Sequence, residues 1–113
     1  MRDIIDVKGA SGVFYRFTRF RYGNLLSAMG GNFIYAKQGE EGPHVIFAGE
    51  AQNLLTDSRV WWDRAVRDHA AVDLFTRLNI SERTRRQEHA DILAADAPAM
   101  NRILDSEAGS AGA

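Results

Sequence analysis

Apolar positions recur along this chain at two spacings, and the change from one to the other divides it. Up to residue 49 they fall in short runs rich in β-branched and aromatic residues, broken by clusters of Gly, Ser, Glu and Pro; such runs predict strands joined by turns. Residues 4–7 and 13–20, separated by Gly9-Ala10-Ser11-Gly12, predict a first hairpin. Alternation in its second run puts Val13, Tyr15 and Phe17 on one face and Phe14, Arg16 and Thr18 on the other. Both faces carry apolar residues, so partial cover is expected on each. Residues 22–29 fit neither period and read as a loop, which Gly30-Gly31 ends. Residues 32–38, the connector Gly39-Glu40-Glu41-Gly42-Pro43 and residues 44–49 predict a second hairpin, the clearest local signal in the chain.

Beyond residue 50 the period lengthens. Residues 51–55 have room for one helical turn, and residues 58–70 place Trp62, Ala65, Val66 and His69 at helical spacing, predicting an amphipathic helix. Residues 72–78 return to alternation, Val72, Leu74, Thr76 and Leu78 against Asp73, Phe75 and Arg77, which predicts a half-buried strand and a third partner for the sheet. Ser81 is an N-cap for a helix over 82–95, Pro98 stops that helix, and a short last helix covers 99–106. The order predicts an α+β fold: a small, mainly antiparallel sheet with helices packed on it, preceded by an additional N-terminal β-hairpin. Residues 1–105 form a single domain on this reading, with 1–29 the hairpin extension and 30–102 the core, and residues 106–113 form a flexible tail.

Composition narrows the functional classes. With 113 residues, 45% of them hydrophobic and 26% charged, the chain can build one core but not two. It has no cysteine, which excludes disulfides and thiolate metal sites and suits a reducing compartment. No apolar run approaches the roughly 20 residues of a membrane helix, and Met1-Arg2-Asp3 does not open a signal peptide, so a cytoplasmic location is expected with no membrane partner. A formal net charge of -1 gives no global attraction to polyanions, so any such site must be local. Twelve of the fourteen basic residues are Arg, the better fork for phosphate, although base composition alone produces the same bias.

Four blocks carry a further signal. Gly31-Asn32-Phe33-Ile34-Tyr35 and Val45-Ile46-Phe47-Ala48-Gly49-Glu50 resemble the paired strands that name the GIY-YIG nucleases, with Phe33 and Phe47 where that family usually has tyrosines. Residues 85–93 resemble the family's later helix with its metal-binding glutamate, and Ala97-Pro98-Ala99-Met100-Asn101 resembles the segment closing the domain. The resemblance covers roughly residues 30–102 and leaves the first hairpin outside. It implies a phosphodiesterase acting on nucleic acid, DNA before RNA, with one divalent metal, magnesium or manganese. The motif positions would be Gly31, Phe33, Phe47, Gly49 and Asn101, and Glu88 would hold the metal. An attacking water must lose a proton and the phosphoryl charge must be neutralised, which is what a metal and a cationic fork supply.

The residues themselves qualify this. Thr84, Glu88, Ile92 and Ala95 share one helical face, which sets Glu88 beside apolar neighbours; the competing role is a solvated acid pairing with Arg85 or Arg86. Phenylalanine at 33 and 47 keeps the ring but has no hydroxyl to orient water, while Tyr35, two residues on, shares the strand face of Phe33 and offers one. The family's arginine position holds Asp57; Arg59, about 200° further round a regular helix, can replace it only where the loop before it is irregular. Arg64 and Arg67 are alternatives whose simpler role is to interleave with Asp63 and Asp68. Asn101 either frames the site or caps the last helix. His44, His69 and His89 lack the spacing of a zinc site. Trp62 is expected in the core and Trp61 at the surface.

Three functions follow: a nuclease, weak or inactive, with Glu88 as metal ligand, Arg59 as phosphate clamp and Tyr35 as the remaining hydroxyl; a non-catalytic domain that keeps the scaffold and binds nucleic acid, or another macromolecule, through the arginines of the late helix; and a protein-interaction module whose first hairpin extends the sheet or pairs with a partner's edge strand. Oligomeric state is left open.

Overall fold

The computed structural model describes residues 3–21 and 24–111, the last two of these by backbone alone. Tyr22 and Gly23 of the expected loop, and the final two residues of the expected tail, lie outside the described residues. In chain order the elements are β1 (Ile4–Lys8), β2 (Phe14–Arg19), β3 (Gly31–Gly39), β4 (Gly42–Ala51), α1 (Leu54–Asp57), α2 (Trp62–His69), β5 (Asp73–Leu78), α3 (Glu82–Ala95) and α4 (Ala99–Ala111). The strands form one five-stranded sheet in the order β1-β2-β5-β3-β4, with each neighbouring pair antiparallel. The fold is therefore α+β, as the pattern predicts. Among the described residues no helix is long and apolar enough to cross a membrane.

β3 is the strand around which the two sides of the molecule are organised. Phe33 and Tyr35 project to one face, where they meet Leu54 of α1, Ala65 of α2 and Met100 of α4. Ile34 and Ala36 project to the other, joining Phe17, Phe75 and Ile92 of α3. Both faces of β3 are thus covered, and its residues from Gly31 to Ala36 are all buried. The period-2 rule still assigns each side chain a face, although alternation of polarity is lost.

The connection between β3 and β4 tightens to the two residues Glu40 and Glu41, with Gly42 at a φ of 118°, a conformation glycine adopts without strain. The register then shifts: Tyr35 faces Phe47, but Ala36 faces Val45. Ile46 is the extra residue of a β-bulge, and it joins Phe47 in the cluster beneath α2 and α4. β5 pairs with both β2 and β3, so the N-terminal hairpin is stitched into the main sheet. Asp91 of α3 ties down the hairpin turn: its carboxylate accepts from the Ser11 amide at 2.9 Å, the Ser11 hydroxyl at 2.6 Å and the Tyr15 hydroxyl at 2.7 Å. These donors, the Ser11 hydroxyl first, hold its carboxyl below the usual carboxylate range. Gly9 leaves room for that carboxylate, which a Cβ would strike.

Several expectations shift in detail. The first hairpin is covered on one face only, and Phe14 is 63% exposed, because α3 packs beneath Tyr15 and Phe17 and no described element covers the opposite side. Val66 lies outside the buried stripe of α2, whose fully buried residue is Ala65. α3 begins at its Ser81 cap as predicted, but its inner face runs through Arg85 and Ile92, while Thr84 and Ala95 are exposed. The last helix continues past Ser106 to Ala111, into the segment expected to be a flexible tail; Glu107, within it, is held by Arg64 of α2.

Gly49 stands directly across from Phe33, and a Cβ there would come within 2.8 Å of Phe33 Cε1 and closer still to the end of the ring. Gly49→Ala is therefore expected to destabilise the protein by about 1–3 kcal/mol through overpacking, read as a lower midpoint in urea unfolding with an unchanged slope.

Candidate functional site

Three of the motif aromatics form one cluster. The ring centroids of Phe33 and Tyr35 are 5.6 Å apart, those of Tyr35 and Phe47 5.1 Å, and those of Phe33 and Phe47 5.9 Å, with Trp62 edge-on to Tyr35 at 5.2 Å. Each lies under helices and turns, so Phe33 and Phe47 serve as core. The Tyr35 hydroxyl is fully buried and already engaged: it donates to the Ser58 carbonyl at 2.7 Å and accepts from the Trp61 amide at 3.2 Å. Burial pushes its pKa up to about 12. A hydroxyl committed on both sides and hard to ionise is an anchor, so the reading of Tyr35 as a catalytic hydroxyl is replaced by a positioning role.

What Tyr35 positions is the turn that carries Arg59. Residues 58–61 separate α1 from α2, and this break supplies the irregularity Arg59 needs to leave the helical track of Asp57. The Arg59 guanidinium lies over the Phe20 ring, 5.0 Å from its centroid. It is exposed, and no carboxylate stands within ion-pair distance of it among the described residues. Two clefts meet at this side chain. One, of about 660 Å³, lies between α2 and the ends of β2 and β5, with Phe20, Arg21, Trp62 and Leu74 in its walls. The other, of about 440 Å³, includes Phe33, Glu50, Asp57 and Val60. The remaining arginines of the larger cleft are tied to acids: Arg19 to Asp3 at 3.0 Å and to Asp73 at 3.3 Å, and Arg21 to Asp3.

Glu88 is elsewhere. α3 packs on the face of the sheet opposite Phe33, Tyr35 and Phe47, and Glu88 Oε1 accepts from Arg77 Nε at 2.8 Å and Asn79 Nδ2 at 3.1 Å. Asn79 Nδ2 also donates to Asn32 Oδ1 at 2.9 Å, and Asn32 Nδ2 donates to the Arg85 carbonyl at 3.1 Å. Arg85, whose side chain is 4% exposed, pairs with Glu50 at 2.5 Å and donates to the carbonyls of Asn79 and Ile80. Gly30 makes space for its guanidinium. This is one continuous polar network, partly buried between α3 and the sheet, in which each charge meets a partner. Glu88 therefore pairs with Arg77, and not with the Arg85 or Arg86 of its competing role. A cation beside it would have to displace two donors, one of them a guanidinium, so this donor set does not fit magnesium or manganese. Among the described residues no three His, Asp or Glu side chains cluster to hold a metal.

The other motif positions are structural. A Cβ on Gly31 would lie 2.5 Å from both the Arg77 carbonyl and Leu54 Cδ1. Asn101 is neither a cap nor part of a cleft wall at Arg59: its Oδ1 accepts from the Ala48 amide at 2.9 Å and its Nδ2 donates to the Ala48 carbonyl at 2.8 Å. Its side chain imitates a neighbouring strand and closes the outer edge of β4 at that residue. Arg64 and Arg67 pair with Asp68, at 3.6 and 3.0 Å, as the charge pattern implies. Trp62 packs in the core and Trp61 is exposed, again as expected, whereas His89 is half-buried and burial lowers its pKa. Phe20, the platform for Arg59, had no signal of its own beyond its place at the end of an apolar run. No protein-family model matches this chain, and no curated protein or solved structure matches it either.

Two outcomes follow. Above pH 10 the unfolded chain releases its Tyr35 proton while the folded chain keeps it up to about pH 12, so stability falls as pH rises through that window. In urea unfolding at stepped pH, Tyr35→Phe is expected to remove this part of the slope and to cost about 1–3 kcal/mol at neutral pH for the backbone groups left unpaired. Glu88→Ala is expected to lower stability by about 1–3 kcal/mol, because Arg77 and Asn79 lose their shared acceptor, with no change in the environment of Trp62 read by near-UV circular dichroism.

Proposed function

We propose that this chain is a nucleic-acid-binding domain on a GIY-YIG-like scaffold, without a hydrolytic centre of its own. The observation that carries the reading is Arg59: an exposed guanidinium, stacked on an aromatic ring, at the junction of two clefts and with no acid claiming it among the described residues. A planar fork of this kind takes a phosphate through two parallel hydrogen bonds, and ring stacking preorganises it. The apolar and aromatic walls at Phe20 and Trp62 suit a nucleobase beside that phosphate. Because net charge is -1, attraction is local and binding is modest. Hydrolysis has little support: two rings lack hydroxyls, the Tyr35 hydroxyl is engaged, Asp57 would repel phosphate, and Glu88 lies across the sheet.

Fluorescence anisotropy with labelled single- and double-stranded DNA and RNA tests this. Wild type is expected to bind at low salt, and Arg59→Ala to weaken binding about tenfold and reduce the salt slope by about one. Incubation with magnesium or manganese is expected to leave the strands intact. Absence of binding at low salt, or affinity unchanged by Arg59→Ala, would sink the proposal; cleavage abolished by Glu88→Ala would restore the nuclease.

A further inference from the structure

The two edges of the sheet are treated differently. Along β4, Ala48 is sealed by Asn101, Ile46 is bulged, and Pro43 has no amide hydrogen to offer a neighbour. Each device blocks the addition of a further strand. β1 has none of them. Arg19 N donates to Asp3 O at 2.7 Å and Gly9 N donates to Val13 O at 2.8 Å, which fixes the phase of the β1–β2 ladder. With the observed register, Ile5 and Val7 also bond inward to Phe17 and Tyr15, so Ile4, Asp6 and Lys8 turn their N–H and C=O groups to the open edge. That edge faces a cleft of about 470 Å³ that it shares with the opposite edge of the sheet: the lining includes Ile5 and Val7, Pro43 and Val45 of β4, and Asp96 and Arg102, so an added strand enters along this cleft.

The side chains along the edge select the strand that can join it. Asp6 and Lys8 have opposite charge, are two residues apart, and lie on the uncovered face of the hairpin. We propose that β1 pairs with β1 of a second copy of this chain, antiparallel and centred on Val7. In that register Asp6 of each copy stands opposite Lys8 of the other, and each of these two residue pairs exchanges two backbone hydrogen bonds. The register one step away, centred on Asp6, would set the two Asp6 carboxylates against each other and is disfavoured. Charges on an edge usually deter pairing; here their order deters an arbitrary strand and fits the chain's own antiparallel copy. Within one copy Asp6 already meets Arg16 through Oδ1 at 3.2 Å, which leaves Oδ2 for the incoming lysine. Lys8 rests over the Phe14 ring at 5.8 Å, and its exposed ammonium remains available.

Sedimentation velocity on wild type, Asp6→Lys, Lys8→Asp and the double swap Asp6→Lys/Lys8→Asp tests the pairing, with urea unfolding of each variant to confirm the fold. Wild type is expected to form a weak, concentration-dependent dimer favoured by low salt. Each single substitution sets like charges opposite one another and is expected to weaken the dimer about tenfold, whereas the double swap restores complementarity and returns affinity to within about twofold of wild type. A wild type that stays monomeric at every concentration reached would overturn the proposal. So would a double swap that dimerises no better than the single variants. Nucleic-acid binding through Arg59 is a separate readout and is expected to be unchanged in all four proteins.

Discussion

The buried hydroxyl of Tyr35 is the constraint on which the site side of the molecule depends. A phenol at the centre of an aromatic cluster must find partners for its oxygen, since a buried polar group left unpaired costs about 1–3 kcal/mol. Here both partners come from one four-residue turn, the carbonyl of Ser58 and the amide of Trp61. One oxygen thereby ties the end of α1 to the start of α2 across the turn that carries Arg59. The aromatic rings around it, Phe33, Phe47 and Trp62, supply apolar area and shape, but rings alone would not specify the turn. Phenylalanine at 33 and 47 beside a tyrosine at 35 therefore makes physical sense: the one hydroxyl of the cluster holds backbone.

The opposite face solves a different problem. α3 brings Arg85, Glu88 and Asp91 against a sheet; Arg85 is buried, Glu88 and Asp91 are partly so, and each has found a complementary group. Asn32 and Asn79 relay between the two ion pairs, so that Glu50, Arg85, Glu88 and Arg77 behave as one unit. The sheet lies between this network and the Arg59 clefts. Glu50 touches both sides, paired with Arg85 and lining the smaller cleft, so its charge is already neutralised on the network side. The separation by one sheet thickness, about 10 Å between packed layers, is what parts Glu88 from the motif aromatics.

Most of the scaffold is legible in the sequence because its signals are local. The second hairpin follows from two apolar runs around a Gly-flanked turn, α3 from Ser81 and a run of helix formers, and β5 from its alternation. What escapes is what distant residues decide. Periodicity predicts correctly that Glu88 lies on the inward side of α3, but no single-chain period says which face of the sheet that helix will choose. α4 continues to Ala111, and within that continuation Glu107 meets Arg64 from 43 positions away. Asp91 reads as one more polar residue of a charged helix until Ser11 and Tyr15 arrive from 80 and 76 positions away to complete it. Arg59 could be singled out as a candidate, yet its platform, Phe20, belongs to a hairpin outside the resemblance.

That last point changes how the N-terminal hairpin should be regarded. As an appendage it would contribute surface; as built, it supplies β2 to pair with β5, Tyr15 and Phe17 to cover α3, and Phe20 to support the exposed cation. A scaffold of β3, β4, β5 and the helices alone would leave β5 as an edge strand and Arg59 without its ring. Adding the hairpin moves the free edge outward from β5 to β1 and builds the larger cleft in the same step. The larger cleft and the outer edge are thus two consequences of one extension, and changes within residues 3–21 act on both while leaving the pairing of β3 with β4 intact.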